Sequence, residues 1–129
     1  VDMSLEEAVA YRRRFFETYP AIRRWHTANR TRSRRGKLDT RTLTGRRRHN
    51  VRSHTERLNA PVQGTAADGM KMALALLWER RNECPGTFPV LAVHDEIVIE
   101  CDADKAEEAK EWLVRAMKDG MDAVVNVTP

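Results

Sequence analysis

The sequence predicts an α+β fold, a small antiparallel sheet with one tight β-hairpin packed against several α-helices. Apolar residues recur at helical spacing in separate stretches near both ends and in the middle of the chain. Two β-branched apolar runs, residues 90–93 and 97–99, flank a short polar stretch. A Thr-rich segment closes on a glycine and three arginines. At 129 residues the chain is long enough for one domain with a modest core. It contains no internal repeat, low-complexity linker or sign of a second domain.

Taken in order, Ser4-Leu5-Glu6-Glu7 fits a capping box, in which the serine and the glutamate three residues on satisfy each other's backbone N–H groups. Leu5, Ala8, Val9, Phe15 and Phe16 keep a helical period until Tyr19-Pro20 interrupts it, and a second helix carries Ile22 and Trp25. Between Thr40 and Arg48 the alternation around Gly45 predicts a short hairpin with an arginine-bearing arm. The stretch 59-NAPVQGTAADGMKMALALLWERR-81 opens on a Pro and Gly break and continues as a helix, with Ala67, Met70, Leu74, Leu77 and Trp78 on its inner face. Gly69 inside that helix costs about 1 kcal/mol relative to alanine.

Cys84-Pro85-Gly86 marks a turn. The runs around residues 90–93 and 97–99 alternate little, the pattern of strands covered on both faces. If His94 closes the first strand, Asp95 and Glu96 form a two-residue tip. A further amphipathic helix follows, with Ala106, Ala109, Leu113, Ala116 and Met117 inward, and Ala123 to Val127 predict a last strand.

The net charge of +4 is unevenly distributed. Through Arg57 there are 16 Lys and Arg against 6 Asp and Glu, and from Leu58 onward 7 against 13. Asp39 is the only acid in 34-RRGKLDTRTLTGRRR-48. A basic front half points to a polyanionic partner, nucleic acid first among them. No run approaches the roughly 18 apolar residues of a membrane span, and the acidic opening is unlike a signal peptide. The expectation is a soluble cytoplasmic protein with no membrane partner. Cys84 and Cys101 lack metal-site spacing and are expected as reduced structural thiols.

His94-Asp95-Glu96 is the stretch with chemical content. Adjacent acids in a strand point to opposite faces, so two of them share a site only where the backbone turns. Carboxylates at a hairpin tip suit Mg²⁺, which takes one or two of them and leaves its other positions to water and phosphate. An ordinary polar turn between core strands is the competing reading of the same residues.

The segments 59-NAPVQGTAADGMKMAL-74 and 90-VLAVHDEIVIE-100, preceded in order by 15-FFETYPAIRRW-25 and 42-TLTGRRR-48, resemble the carboxy-terminal palm region of the family A DNA polymerases. The resemblance covers nearly the whole chain and implies a single partial domain over residues 1–129. It implies that Asp95 is a ligand of the catalytic metals, two Mg²⁺ ions in the complete active site, with Glu96 beside it as a supporting ligand; these two are the candidate catalytic residues. His94 would lie against the primer terminus, and Asn59 and Gln63 would meet the minor groove of the primer–template duplex. Arg46, Arg47 and Arg48 would face phosphates, with Arg57 a further DNA-contacting arginine.

The matched segments follow the family's motif A aspartate and motif B fingers helix. The implied reaction is template-dependent nucleotidyl transfer from deoxynucleoside triphosphates, with another polypeptide or segment supplying motif A and fingers and no activity from this chain alone. The alternative is a non-catalytic nucleic-acid-binding module derived from a polymerase.

Overall fold

The computed structural model describes residues 3–33 and 38–126. Its elements are α1 (Leu5–Thr18), α2 (Pro20–Ser33), β1 (Leu38–Arg41), β2 (Arg47–Val51), α3 (His54–Glu79), β3 (Phe88–Val93), β4 (Glu96–Glu100), a 3-10 turn (Ala103–Lys105) and α4 (Ala106–Val125). β1 pairs with β2 and β3 with β4, giving two two-stranded sheets. The fold is α+β, as the sequence predicts. The chain divides into two compact units, Val1–Asp39 with His49–Asn59, and Thr40–Arg48 with Ala60–Pro129.

In the first unit α1 starts where the capping box places it. Ser4 Oγ accepts from the Glu7 amide at 3.3 Å, and Glu7 Oε2 accepts from the Ser4 amide at 2.9 Å. That backbone hydrogen bond, followed by the one from the Ser4 hydroxyl, holds the Glu7 carboxyl below its ordinary pKa. The helix ends because Pro20 disfavours the helical conformation for the residue before it, and Tyr19 sits at φ −118°, ψ 71°. Pro20 then serves as the first residue of α2, where its missing N–H costs nothing. α1 has no buried residue.

The unit's order comes from polar contacts. Arg57, only 1% exposed, donates from Nε and Nη2 to the Val51 carbonyl at 3.1 and 2.9 Å and from Nη2 to that of Arg52 at 3.3 Å. Asp39 accepts from His49 Nδ1 at 2.8 Å and from the Asn50 amide at 3.3 Å, across a left-handed Asn50 at φ +57°. Asparagine tolerates that conformation better than most residues.

The second unit has the apolar core. Ala73 and Leu77 of α3, Cys84, Ile97 of β4, and Ala109, Trp112 and Ala116 of α4 are buried together. α3 and α4 cross closely on small residues. A Cβ on Gly120 would lie 2.6 Å from the Ala73 nitrogen, and one on Gly69 would lie 2.8 Å from Met121 Cε. The helical cost of Gly69 is therefore repaid in packing. Trp112 Nε1 donates to the Arg80 carbonyl at 3.2 Å, and Arg80 pairs with Asp119 across the same two helices. The hydrogen bond that Arg80 donates to Asp119 is the main reason the Arg80 pKa rises further.

Several expectations are corrected. α3 begins at His54 and runs through Pro61 with no break, forgoing the bond that a proline nitrogen cannot donate. Its buried positions are Arg57, Ala60, Gly69, Ala73 and Leu77, whereas Ala67 is exposed and Trp78 is 69% exposed beneath the Arg81 guanidinium. Residues 123–125, expected in a last strand, continue α4, because Val124 falls in helical phase with Ala109, Ala116 and Gly120 on the buried face. Asn126, also in the expected strand, caps that helix, and Val127 lies outside the described residues. β3 is exposed along its whole length, so the hairpin is not covered on both faces; only Ile97, and less fully Ile99, turn inward. Both cysteines are free thiols, as expected.

Candidate active site

β3 and β4 form an antiparallel hairpin in which Val93 pairs with Glu96, Ala92 with Ile97 and Leu91 with Val98. The two-residue tip is therefore His94-Asp95, one residue earlier than the sequence suggests. Two-residue hairpin loops need a positive φ at their first position, and His94 supplies it at +54°. Asp95 stands at the turn, while Glu96 is already the first residue of β4 and points away from the face that buries Ile97.

A groove of about 520 Å³ opens beside the tip. Its walls are His94 and Asp95, Gln63 of α3, and Met117 and Met121 of α4. Ala66, Ala67 and Gly69 line it without filling it, which is how a long helix leaves room next to a carboxylate. Glu96 is not among the lining residues.

Gln63 also borders a second, smaller cavity of about 190 Å³, shared with Thr40, Arg41, Arg46 and Arg48 of the β1–β2 arm. The arm is pinned to α3. Gly64 allows its close approach, since a Cβ there would sit 2.6 Å from Thr42 Cγ2. The Leu43 amide donates to Thr65 Oγ1 at 3.1 Å, Thr44 Oγ1 to Asp68 Oδ2 at 2.6 Å, and Arg46 Nε to Asp68 Oδ1 at 2.7 Å. Arg46 also reaches the Gly64 carbonyl at 3.0 Å. Burial alone would raise the Asp68 pKa, but hydrogen bonds from Thr44, Thr42 and Arg46 together outweigh it and hold the carboxyl below its ordinary value.

The structure thus brings together Gln63, His94 and Asp95 in one groove and Arg46, Arg48 and Gln63 in the other. Arg47 is exposed on β2 and lines neither. Asn59 is exposed on α3 in the first unit. Arg57 is turned inward onto backbone carbonyls, with no exposed guanidinium to offer a phosphate. Among the described residues no group of three His, Cys, Asp or Glu is close enough to hold a metal ion by itself. Asp68 is the residue that sequence reasoning missed. The signal was present, a lone helical acid twenty residues from an arm of three arginines.

An arginine-bearing arm is thus clamped to a long helix that also borders a hairpin with a carboxylate at its tip. Residues 1–128 match the family model described as DNA polymerase family A, and the chain belongs to that family. It is 38% identical over 132 residues to DNA polymerase I of Aquifex aeolicus, covering all of this chain and 23% of that protein. It is 44% identical over 114 residues to the thermostable DNA polymerase I of Thermus thermophilus, covering 79% of this chain and 13% of the relative. For the Thermus aquaticus enzyme the figures are 40% over 132 residues, 92% and 15%. The chain thus spans less than a quarter of the length of these relatives. No helix among the described residues is long and apolar enough to cross a membrane.

Proposed function

We propose that the chain is a palm segment of a DNA-directed DNA polymerase, contributing the motif C hairpin and primer–template contacts to nucleotidyl transfer. The observation behind this reading is the groove that places Asp95 and His94 opposite Gln63, together with the arginine-lined cavity that shares Gln63. Asp95 projects from a rigid turn into open space, and Glu96 follows it directly. One or two carboxylates with room for water and phosphate fit Mg²⁺. The remaining protein donors would come from a segment carrying motif A.

In this reading Asp95 holds the metal site against the hairpin, and Glu96 supports it from the first position of β4. When bound, two Mg²⁺ ions would stabilise the attacking and leaving oxygens of the displacement at the α-phosphate. His94 lies against the primer terminus. Gln63 and Asn59 offer amide groups to the minor-groove acceptors that every base pair shares, a tolerant reading suited to copying. Arg47 and Arg48 face backbone phosphates. Arg46 joins them with the part of its guanidinium not committed to Asp68. Arg57 serves by fixing residues 51–52 rather than by touching DNA. The substrates are primer–template DNA and deoxynucleoside triphosphates, and the setting is the cytoplasm.

Mg²⁺-dependent primer extension tests this, with the protein joined to a polypeptide bearing motif A and fingers. Asp95→Ala should lower extension by more than about a hundredfold while duplex affinity is kept. No extension from the unmodified protein with its partner would overturn the reading. Full tolerance of Asp95→Ala would leave a nucleic-acid-binding module in its place.

A further inference from the structure

The second unit contains another groove that the polymerase reading leaves unused. It lies where the end of α3, the segment 80–87 and the start of β3 meet, and it encloses about 540 Å³. β3 runs from Phe88 to Val93 before the hairpin turns, so at about 3.3 Å per residue roughly 20 Å of strand separate this groove from the tip. Gly86, at φ +84°, reverses the chain after α3 and brings Phe88 to the same groove as Trp78. Leu77 and Trp112 are its buried floor, while Trp78 and Phe88 stand exposed at its rim with Pro85 and Pro89 beside them. Large exposed rings around a buried apolar floor are the marks of a binding surface.

The side chains of the groove offer donors more than acceptors. Trp112 Nε1 is committed to the Arg80 carbonyl at 3.2 Å, and the Thr87 hydroxyl lies 3.2 Å from Cys84 Sγ. Trp78 Nε1 and the Asn82 amide, by contrast, have no partner among the described residues. The Arg81 guanidinium lies 4.5 Å from the centre of the Trp78 ring and gives one N–H to the Trp78 carbonyl at 2.8 Å, which leaves the other donors of its fork to a ligand. No carboxylate of the described residues pairs with it; Glu83 is matched to Arg115 at 2.7 Å and Asp119 to Arg80.

Such a groove suits a ligand that is apolar, rich in acceptors, poor in donors and negatively charged at one point. A proline-rich segment has these properties. Its prolines lack N–H groups, its polyproline II backbone leaves every carbonyl without an internal partner, and its rings pack on aromatic faces. An acidic side chain in the same segment would meet Arg81 in a charge-assisted hydrogen bond. Nucleic acid fits poorly, because a single guanidinium is no track for a phosphate backbone. We infer that this groove docks a proline-rich, acidic segment of a partner protein, with prolines against Trp78 and Phe88 and a carboxylate on Arg81. The site is separate from the hairpin tip and does not depend on the role given to Asp95.

Fluorescence anisotropy with a labelled peptide of about nine residues, three turns of polyproline II with a glutamate at the centre of a proline run, tests the inference. Trp78→Ala should weaken binding more than tenfold. Arg81→Glu should weaken it several-fold and reverse the preference between this peptide and one with lysine in place of the glutamate. Both positions are exposed, so neither substitution disturbs the core. Replacing the prolines by alanine at the same charge should cost about as much as Trp78→Ala. Unchanged affinity in Trp78→Ala, equal affinity for the alanine peptide, or indifference of the parent protein to glutamate against lysine would each overturn the inference. So would concentration-dependent dimerisation in sedimentation that Trp78→Ala abolishes, which would make the groove an interface between copies of this chain. Primer extension, which Trp78→Ala should leave unchanged, reads the role of Asp95 separately.

Discussion

The two units reach order by opposite means. The second encloses a contiguous apolar core in which Leu77 is 0% exposed and α3 and α4 cross on glycine and alanine. In the first, Val51 and Arg57 are the only buried residues among those described, and the fixed points are a guanidinium on carbonyls and a carboxylate on a left-handed turn. The difference follows from charge. Helices that devote their facing surfaces to arginine cannot also devote them to burial, so order in that unit must be polar and local.

The sharpest way to test this contrast is truncation in the apolar core. Leu77→Ala should cost about 3 kcal/mol, read as a lower urea midpoint with unchanged slope. Nothing in α1 offers an equivalent, and Leu5→Ala, at an 82% exposed position, should leave the midpoint nearly unmoved. Next comes the helix crossing. Gly120→Ala drives a methyl into the Ala73 backbone and should cost about 2 kcal/mol. Gly69→Ala meets chiefly the flexible end of Met121 and recovers helix propensity, so it should cost well under half as much. Equal losses at the two glycines would mean that the crossing is softer than its geometry implies.

In the first unit, Arg57→Met should cost about 2 kcal/mol, because the Val51 and Arg52 carbonyls lose their donors in a buried setting. An outcome near zero would show that the unit does not depend on its polar anchor. The smallest effect belongs to the arm. Asp68→Asn should cost about 1 kcal/mol at neutral pH, discounted because the partner Arg46 is 48% exposed. The carboxyl titrates below its ordinary value, so its contribution is complete above the unfolded pKa of 3.8 and disappears as pH falls through the lower folded value. Urea midpoints taken from about pH 5 down to about pH 2 should therefore drop less in Asp68→Asn than in the parent.

Punctuation was the most legible part of the sequence. Ser4 with Glu7, Tyr19-Pro20 and Cys84-Pro85-Gly86 act through contacts a few residues long, and each boundary falls where those residues place it. What failed depended on distant partners. Val124 reads as a strand residue until a buried helix face claims it, and Pro61 reads as a break until the helix is seen to pass through it. The hairpin was legible, but its tip was displaced by one residue, because histidine gives little local signal for a positive φ. Gln63, His94 and Asp95 are legible from sequence as a set and lie in one groove, whereas Glu96, expected at the tip, does not line it. The clamp on Asp68 was missed because helix and arm are separated by some twenty residues of chain.

The left-handed turn at His94 also bears on how the protein can be improved. A glycine there would adopt φ +54° freely, whereas histidine holds it at a cost of about 1 kcal/mol. Stabilising substitutions are easiest to find where a backbone already sits in a conformation its residue resists. An engineer seeking heat tolerance would therefore be drawn first to His94, the position where the imidazole lines the groove. Selection for robustness and selection for chemistry pull in opposite directions at this one residue, and a library scored on melting temperature alone would discard the side chain that gives the tip its character.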